Sequence, residues 1–351
     1  MTLTGTASPP LPFTLADALD PAWLSRVLAP LTGGHGIRHV ETVDTAGSVA
    51  TSARITVAWD GGEADLCLKA FLDLPPTGPG SVGAADGRLR EFRFYQQIAP
   101  HLRARIPVAV ATLVDEERAQ GVVIMKDLIV EGARFGGALD PLGPDDVAKS
   151  LEQLAHVHAG AHLLKGAPWI KHVVSEFASW NIVTPDRLQE LLQGPRGRNL
   201  APGTRDAARL IDALNELARR DALLPETLLH GDCHAGNFYW TDEGPGVADW
   251  QVVQRGGWAL DVAYHIGAAL PVEVAAAHEW DLLDHYLGCA RALGSNVPDR
   301  ETARHQYRTS MIYGFYMWGI TTKPPTPVIE TFVDRLGQAV DRHDSFGLLG
   351  L

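Results

Sequence analysis

Cysteine is one of the rarest residues in this chain, with three in 351 residues. Cys67, Cys233 and Cys289 lie far apart, and no pair of them has the CxxC spacing that redox and zinc motifs use. A disulfide framework is therefore not expected. The scarcity of cysteine predicts a protein of the reducing cytoplasm.

Positive charge is also in deficit, since 30 Lys and Arg face 42 Asp and Glu and leave a net charge of -12. Because nucleic-acid-binding proteins usually carry a basic face, this balance argues against a nucleic-acid partner. Long apolar runs are missing too, so no membrane span is predicted. Residues 1–12 contain neither Lys nor Arg and no long apolar run. We therefore expect no secretory signal there.

The remaining pattern divides the chain into two parts, for which 351 residues are enough. Before residue 127 the signals are mainly β, and after it the chain reads as mostly helical. We predict an α+β protein with two lobes: a small β-rich N-terminal lobe of residues 1–127, and a larger, mostly helical C-terminal lobe of residues 128–351. The elements expected are a helical region at 15–31, strands within 37–72, a turn at 60–62, a helix at 88–98, strands at 108–114 and 121–125, helices at 144–164, 205–223, 272–293 and 301–320, and short strands at 238–240 and 246–248.

Residues 230–237 carry the most informative motif and read HGDCHAGN; a short apolar strand and a second acidic residue, Asp249, follow. In such a pattern one carboxylate, here Asp232, can accept the hydrogen bond of a substrate hydroxyl and take its proton late. Asn237 and Asp249 offer oxygen ligands, which Mg²⁺ prefers. The motif predicts a phosphoryl transferase that uses ATP and Mg²⁺. We expect His230 to order the loop rather than to take part in the chemistry.

Two charged residues of the first lobe fit the same reading. Lys69 lies in an alternating apolar strand, and Glu91 lies in the helix that follows. Each alone could be an ordinary surface residue, but together they fit a lysine held by a glutamate, so that its ammonium meets phosphate oxygens. The loop before this strand contains Gly47, Ser48 and Ser52, whose backbone could approach phosphates or simply form a hairpin.

Three other features each leave two readings open. Asp261 opens a helix, where it could cap the helix or brace the motif loop. His156, His158 and His162 could bind a metal, but core or interlobe positions are favoured because their helix face offers no acidic third ligand. Aromatic residues near the motif and in a late helix could line a substrate pocket or pack helices; they are Trp240, Trp250, Trp258, Tyr313, Phe315, Tyr316 and Trp318.

With these motifs in their order, the chain resembles the aminoglycoside phosphotransferase and choline kinase superfamily, and within it the ecdysteroid-kinase-like branch. The matching segments are HGD with Asn237, DWQ at 249–251, DVAY at 261–264, REFRFY at 90–95, IMKDL at 124–128 and LAHVHA at 154–159. They run from about residue 45 to 265.

The resemblance implies a protein-kinase-like fold and phosphorylation of a small-molecule hydroxyl. It assigns the base to Asp232, Mg²⁺ to Asn237 and Asp249, and phosphate anchoring to Lys69 with Glu91. It also implies that backbone groups around Met125, Lys126 and Leu128 meet the adenine of ATP. Lys126 departs from the branch, which more often has an acidic residue there. No Ala-Pro-Glu activation segment is evident, which disfavours protein substrates.

Parts of the sequence are also compatible with two other functions. The GDCH segment at 231–234 resembles the Asp and His ligands of metallophosphoesterases, but no second Gly-Asp or Gly-Asn-His element accompanies it. A nucleotide-binding pseudokinase without turnover is the non-enzymatic alternative, although every expected catalytic position is filled. The acceptor alcohol is not identified by the sequence; the branch favours a bulky, fairly apolar one.

Overall fold

The computed structural model describes residues 9–47, 50–72, 82–179 and 182–351. The chain forms two compact units. The N-terminal unit contains Met1–Pro100 and Ile106–Ala133, and the C-terminal unit contains His101–Arg105 and Arg134–Leu351. The predicted α+β class, with a β-rich first part and a helical second part, is confirmed. The boundary at residue 127 stays a prediction.

The N-terminal unit is built on a five-stranded antiparallel sheet of order β1-β2-β3-β5-β4. Three short helices precede the sheet, where the sequence predicted one helical region, and a fourth follows β3. The helices are α1 (Leu15–Ala18), α2 (Pro21–Val27), α3 (Ala29–Thr32) and α4 (Val82–Arg93), and a π-helical turn at Phe94–Ile98 extends the last of them. The strands are β1 (Ile37–Gly47), β2 (Thr51–Trp59), β3 (Gly62–Ala70), β4 (Ala109–Asp115) and β5 (Gln120–Lys126).

Alternation along β2 and β3 decides which residues enter the core of this unit. Ile55 and Leu68 point to one face and are fully buried in the cluster formed with Trp23 and Leu24 of α2. Because strand side chains alternate between the two faces, Ser52 and Lys69 point to the opposite face. The sheet therefore keeps one face for the core and leaves the other for polar groups.

The C-terminal unit is mainly helical, and its short strands pair next to the motif. The helices are α5 (Pro144–His158), α6 (Val173–Ser179), α7 (Pro185–Gln193), α8 (Ala207–Asp221), α9 (Ala259–Ala269), α10 (Val272–Ala292), α11 (Arg300–Ile320), α12 (Thr326–Arg342) and α13 (Ser345–Leu349). The strands are β6 (Arg134–Phe135), β7 (Thr227–Leu229), β8 (Phe238–Thr241), β9 (Gly244–Val247) and β10 (Gln254–Gly256). Every residue of α9 is buried, so this helix is at the centre of the unit.

Two predictions about this unit need correction. The helix expected at 144–164 ends as an α-helix at His158 and continues as a 3₁₀ helix, Ala159–Gly166. Gly160, at the second position of the 3₁₀ segment, favours the change because glycine is a poor α-helix former. The short strands β6, β7 and β10 were not predicted, since two or three residues leave no periodic signal. No helix in the described ranges is both long and apolar enough to cross a bilayer.

Candidate active site

The motif loop of residues 230–237 connects β7 to β8. Its second residue, Gly231, has φ +85, a left-handed conformation that side chains disfavour. A Cβ at this position would collide with the carbonyl oxygen of Val252 and lie 2.7 Å from Nε2 of Gln254. Glycine is therefore required here both by the backbone conformation and by the space available.

Asp261 stabilises this loop by accepting hydrogen bonds from its backbone, and it is called the brace below. Its carboxylate is fully buried and accepts hydrogen bonds from the backbone N–H of His230 (2.7 Å) and of Gly231 (2.9 Å). It lies in the first turn of α9, whose N-cap is Trp258, so Asp261 is not the capping residue. Of the two readings that the sequence left open, loop bracing is the one that the structure shows.

His158 completes the contacts of this carboxylate. Its Nε2 lies 3.2 Å from Asp261 Oδ2, and its Nδ1 lies 2.7 Å from the Tyr286 hydroxyl. Burial alone would raise the pKa of Asp261, but the hydrogen bond and charge of His158 outweigh it and the pKa is lowered. His158 is thus a buried core histidine, as predicted. The 3₁₀ turn separates it from His162, which is exposed and faces the carbonyl of Ala159.

His230 orders the loop through hydrogen bonds at both of its ring nitrogens. Its Nδ1 accepts the backbone N–H of Asp232 at 3.2 Å, so the proton of the neutral ring lies on Nε2 and is donated to the carbonyl of Ala248 at 2.9 Å. Ala248 directly precedes Asp249 in the chain. One imidazole therefore fixes the loop that carries Asp232 to the strand end that carries Asp249, which agrees with the expected ordering role.

His265 holds the loop from α9, and sequence analysis gave it no role. Its Nδ1 donates to the carbonyl of Cys233 at 2.9 Å, and its Nε2 lies 2.6 Å from the Ser150 hydroxyl, whose proton it accepts. Burial lowers the pKa of His265 to about 4. The ring is therefore neutral at pH 7 and acts as a hydrogen-bonding group without charge.

The carboxylate of Asp232 is oriented but still accessible. Its Oδ1 accepts a hydrogen bond from the Tyr264 hydroxyl at 2.9 Å, and that hydroxyl accepts one from Trp318 Nε1 at 2.7 Å. Its Oδ2 lies 3.7 Å from Nε2 of His234, and the side chain is 25% exposed. One oxygen is thus fixed from the core, and the carboxylate remains open to solvent for a ligand.

Asn237 and Asp249 lie beside this carboxylate. The Asn237 amide donates to the backbone carbonyl of Asp232 at 2.8 Å, so its nitrogen is engaged and Oδ1 is the side-chain atom that could bind a cation. Asp249 has φ +63, a left-handed conformation that is uncommon for a non-glycine residue. Burial lowers the pKa of His234, while the charges of Asp232 and Asp249 oppose that shift. The charges of both carboxylates thus act on this imidazole, and carboxylate and amide oxygens are ligands that suit a hard cation such as Mg²⁺.

In the N-terminal unit, Lys69 and Glu91 form a buried ion pair. The ammonium lies 2.9 Å from Oε1 and 2.7 Å from Oε2 of the carboxylate, and the side chains are 12% and 2% exposed. Ser52 pairs with Lys69 across β2 and β3, so the two side chains project from the same face. The structure thus brings together three of the residues that the sequence proposed for phosphate binding.

The other residues proposed for nucleotide binding have plainer surroundings. Gly47 ends β1, and Ser48 lies outside the described residues. Met125 is buried in β5, and the Lys126 backbone N–H donates to the carbonyl of Val108. The carbonyl of Leu128 accepts the Ala133 N–H, and the Lys126 ammonium lies 3.5 Å from Glu131. Adenine contacts by this segment stay a prediction.

The aromatic residues mostly pack helices, and two of them do more. Tyr313 donates to the carbonyl of Gly231 at 2.7 Å, and Trp318 holds Tyr264. From the sequence, Tyr313 and Trp318 were expected only to pack in the core or to line a pocket. Tyr264 follows Asp261 by three residues, so helix periodicity places both on one side of α9, but only the packing of the helices turns that side toward the loop.

Comparison with family profiles identifies the family of this chain. The profile of the phosphotransferase enzyme family matches residues 53–302, which include the ion pair and the whole motif loop. The chain belongs to this family. Membership in the ecdysteroid-kinase-like branch stays a prediction. No match was found among curated proteins.

Several solved structures are similar to this chain at low sequence identity. A macrolide 2'-phosphotransferase from Brachybacterium faecium is 17% identical, with 89% of this chain and 98% of that one covered and a TM-score of 0.44. A choline kinase from Streptococcus pneumoniae is 12% identical, with 88% and 94% covered and a TM-score of 0.43. An ethanolamine kinase from Plasmodium vivax is 14% identical, with 86% and 82% covered and a TM-score of 0.44.

Proposed function

We propose that the protein is a small-molecule kinase that transfers the γ-phosphoryl group of ATP to an alcohol hydroxyl. Family membership supports phosphotransfer to a small molecule. The observation that carries the catalytic assignment is the Asp232 carboxylate, which is accessible at 25% exposure, fixed by Tyr264 and set in a loop braced by Asp261.

Asp232 acts as the base in this proposal. Its fixed carboxylate accepts the hydrogen bond of the acceptor hydroxyl and so directs a lone pair of the hydroxyl oxygen at the γ-phosphorus. It takes the hydroxyl proton as the new P–O bond forms and the bond from the γ-phosphorus to the β,γ-bridging oxygen breaks, which releases ADP. Because the phosphoryl group passes through a loose transition state, positioning contributes more than proton abstraction early in the reaction. The Tyr264 hydrogen bond holds the carboxylate in one rotamer, so little ordering is left for the moment of reaction.

Asn237 and Asp249 would hold Mg²⁺ through oxygen atoms, and the bound ion would neutralise charge on the β- and γ-phosphates. Lys69 would contact phosphate oxygens while Glu91 keeps its ammonium in place. With three free cysteines, the cytoplasm remains the proposed compartment. The proposed acceptor is a small alcohol. We propose neither a protein nor a nucleic acid as the substrate.

The test is ADP release from Mg-ATP with a panel of alcohols, in the wild-type chain and in Asp232→Asn. We expect nucleotide affinity within a few-fold of wild type, because Lys69 and the metal ligands remain. Transfer should fall by about a hundredfold or more, the scale of general-base loss. Asp212→Asn, at an exposed position of α8, is the matched control and should retain full transfer.

Three outcomes would contradict the proposal. Equal transfer rates in wild type and Asp232→Asn would show that Asp232 is not the base. Nucleotide binding without turnover of any alcohol would favour the pseudokinase. Tight binding of a transition-metal pair at Asp232 and His234, with phosphate-ester hydrolysis, would favour the metallophosphoesterase.

A further inference from the structure

A second group of ligand-type side chains lies on the outside of the C-terminal unit, away from the motif loop. It consists of Glu152 on α5 together with His285 and Cys289 on α10. His285 and Cys289 are four residues apart, so one turn of helix places them on the same face. Among the described residues, this is the group whose donor atoms come close enough together, within 4.8 Å, to share one ion.

All the short contacts of this group converge on a single atom, Nε2 of His285. Glu152 Oε1 lies 3.2 Å from it and Cys289 Sγ lies 3.7 Å from it. In a tetrahedral zinc site the N–O and N–S edges are about 3.3 Å and 3.6 Å, from the usual bond lengths and a tetrahedral angle. Two of the three ligand pairs, His285 with Glu152 and His285 with Cys289, therefore stand near the separations that a zinc ion requires, and the third pair lies within 4.8 Å.

We propose that Glu152, His285 and Cys289 bind one zinc ion, with water as the fourth ligand. Thiolate, imidazole and carboxylate are the ligands that proteins offer to zinc. Glu152 and His285 are 48% and 38% exposed, so an ion can enter and a water molecule can complete the coordination. The carboxylate can rotate at this exposed position to close the remaining distance to sulfur.

Zinc binds the thiolate form of a cysteine, so Cys289 must lose its proton when the ion enters. On binding, the thiol proton leaves to solvent and the metal–sulfur bond takes its place.

The ion would link α5 to α10 next to residues that contact the brace of the motif loop. His285 is followed directly by Tyr286, whose hydroxyl contacts His158, and His158 contacts the brace Asp261. Glu152 and His158 lie on the same helix. Zinc would therefore stabilise the two helices that supply the outer contacts of the catalytic loop.

The test is a titration of the full-length chain, freed of metal with a chelator, first with Co²⁺ and then with Zn²⁺. We expect one equivalent of Co²⁺ to give thiolate-to-cobalt charge-transfer absorption in the near ultraviolet, which Zn²⁺ then removes by displacement. Zn²⁺ should also raise the Tm, because it binds the folded state. Cys289→Ser should abolish the absorption and weaken Zn²⁺ binding by at least tenfold. His285→Gln should also weaken Zn²⁺ binding by at least tenfold.

Cys67→Ser is the matched control, since Cys67 is also a free, partly buried thiol but lies on β3. It should keep the absorption and the affinity. Asp249→Asn should keep them too, so the result does not depend on the proposed kinase activity. Absent charge-transfer absorption, or equal Zn²⁺ affinity in wild type and Cys289→Ser, would overturn the site.

Discussion

Replacing Asp261 by alanine should loosen the catalytic loop more than any surface change of the same charge. The carboxylate is fully buried and takes hydrogen bonds from two backbone N–H groups and from His158. Asp261→Ala leaves all three groups without this acceptor inside the protein. Asp261→Asn keeps one accepting oxygen but turns an NH₂ group toward one of the donors.

The size of the effect follows from those contacts. Each buried donor left unsatisfied costs about 1–3 kcal/mol, so the two backbone N–H groups alone give about 2–6 kcal/mol. Water entering the space left by the side chain recovers part of this. We expect Asp261→Ala to lower the free energy of unfolding by about 4 kcal/mol and Asp261→Asn by about half as much.

Urea unfolding followed by tryptophan fluorescence measures the stability change, and hydrogen–deuterium exchange locates it. The amides of His230 and Gly231 should exchange much faster in Asp261→Ala, because their hydrogen bonds to the carboxylate are gone. Asp212→Asn removes an exposed carboxylate of α8 and should stay within about 0.5 kcal/mol of wild type. An equally small change in Asp261→Ala, with unaltered exchange at residues 230–231, would refute the bracing role.

Three further outcomes are expected. Lys69→Ala should weaken nucleotide binding by more than tenfold in a calorimetric titration and destabilise the chain by about 3 kcal/mol, since a buried ion pair is broken; unchanged affinity would contradict phosphate anchoring. Asp249→Asn should lose most transfer activity with a near-normal Tm, and activity retained at low Mg²⁺ would exclude a metal ligand. Because burial lowers the pKa of His265 from 6.5 to about 4, the unfolded chain binds more protons between these values. The contribution of His265 to the free energy of unfolding is therefore complete above about pH 6.5 and falls by about 3 kcal/mol as the pH drops to about 4. In urea unfolding, His265→Gln should show a flatter dependence of stability on pH, and an equally steep one would rule out this cause.

The residues of the motif loop could be recognised from sequence because their chemistry is local. Asp232 and Asn237 are five residues apart in one loop, and Asp249 follows after one short hairpin. Such spacing fixes which side chains can meet, whatever the rest of the chain does. The same holds for the alternating strand that carries Lys69, where period-two burial predicts a sheet with one polar face.

The supports of the loop are different, because each comes from a distant part of the chain. Tyr264, Trp318 and His158 reach the loop or its brace only after α5, α9 and α11 have packed together. Their polar atoms have no signature in sequence, since buried aromatic and histidine residues occur in most helical cores.

Sequence by itself thus determined the fold class and the family, and it predicted the residues that carry the proposed chemistry. Tertiary structure decided that Asp261 is a brace rather than a cap, that His158 is its partner rather than a metal ligand, and that Glu152 meets His285 and Cys289 across two helices. The physical reason is the range of each effect. Backbone periodicity and loop spacing act over a few residues, whereas a buried polar group finds its partner only where helices distant in sequence come into contact.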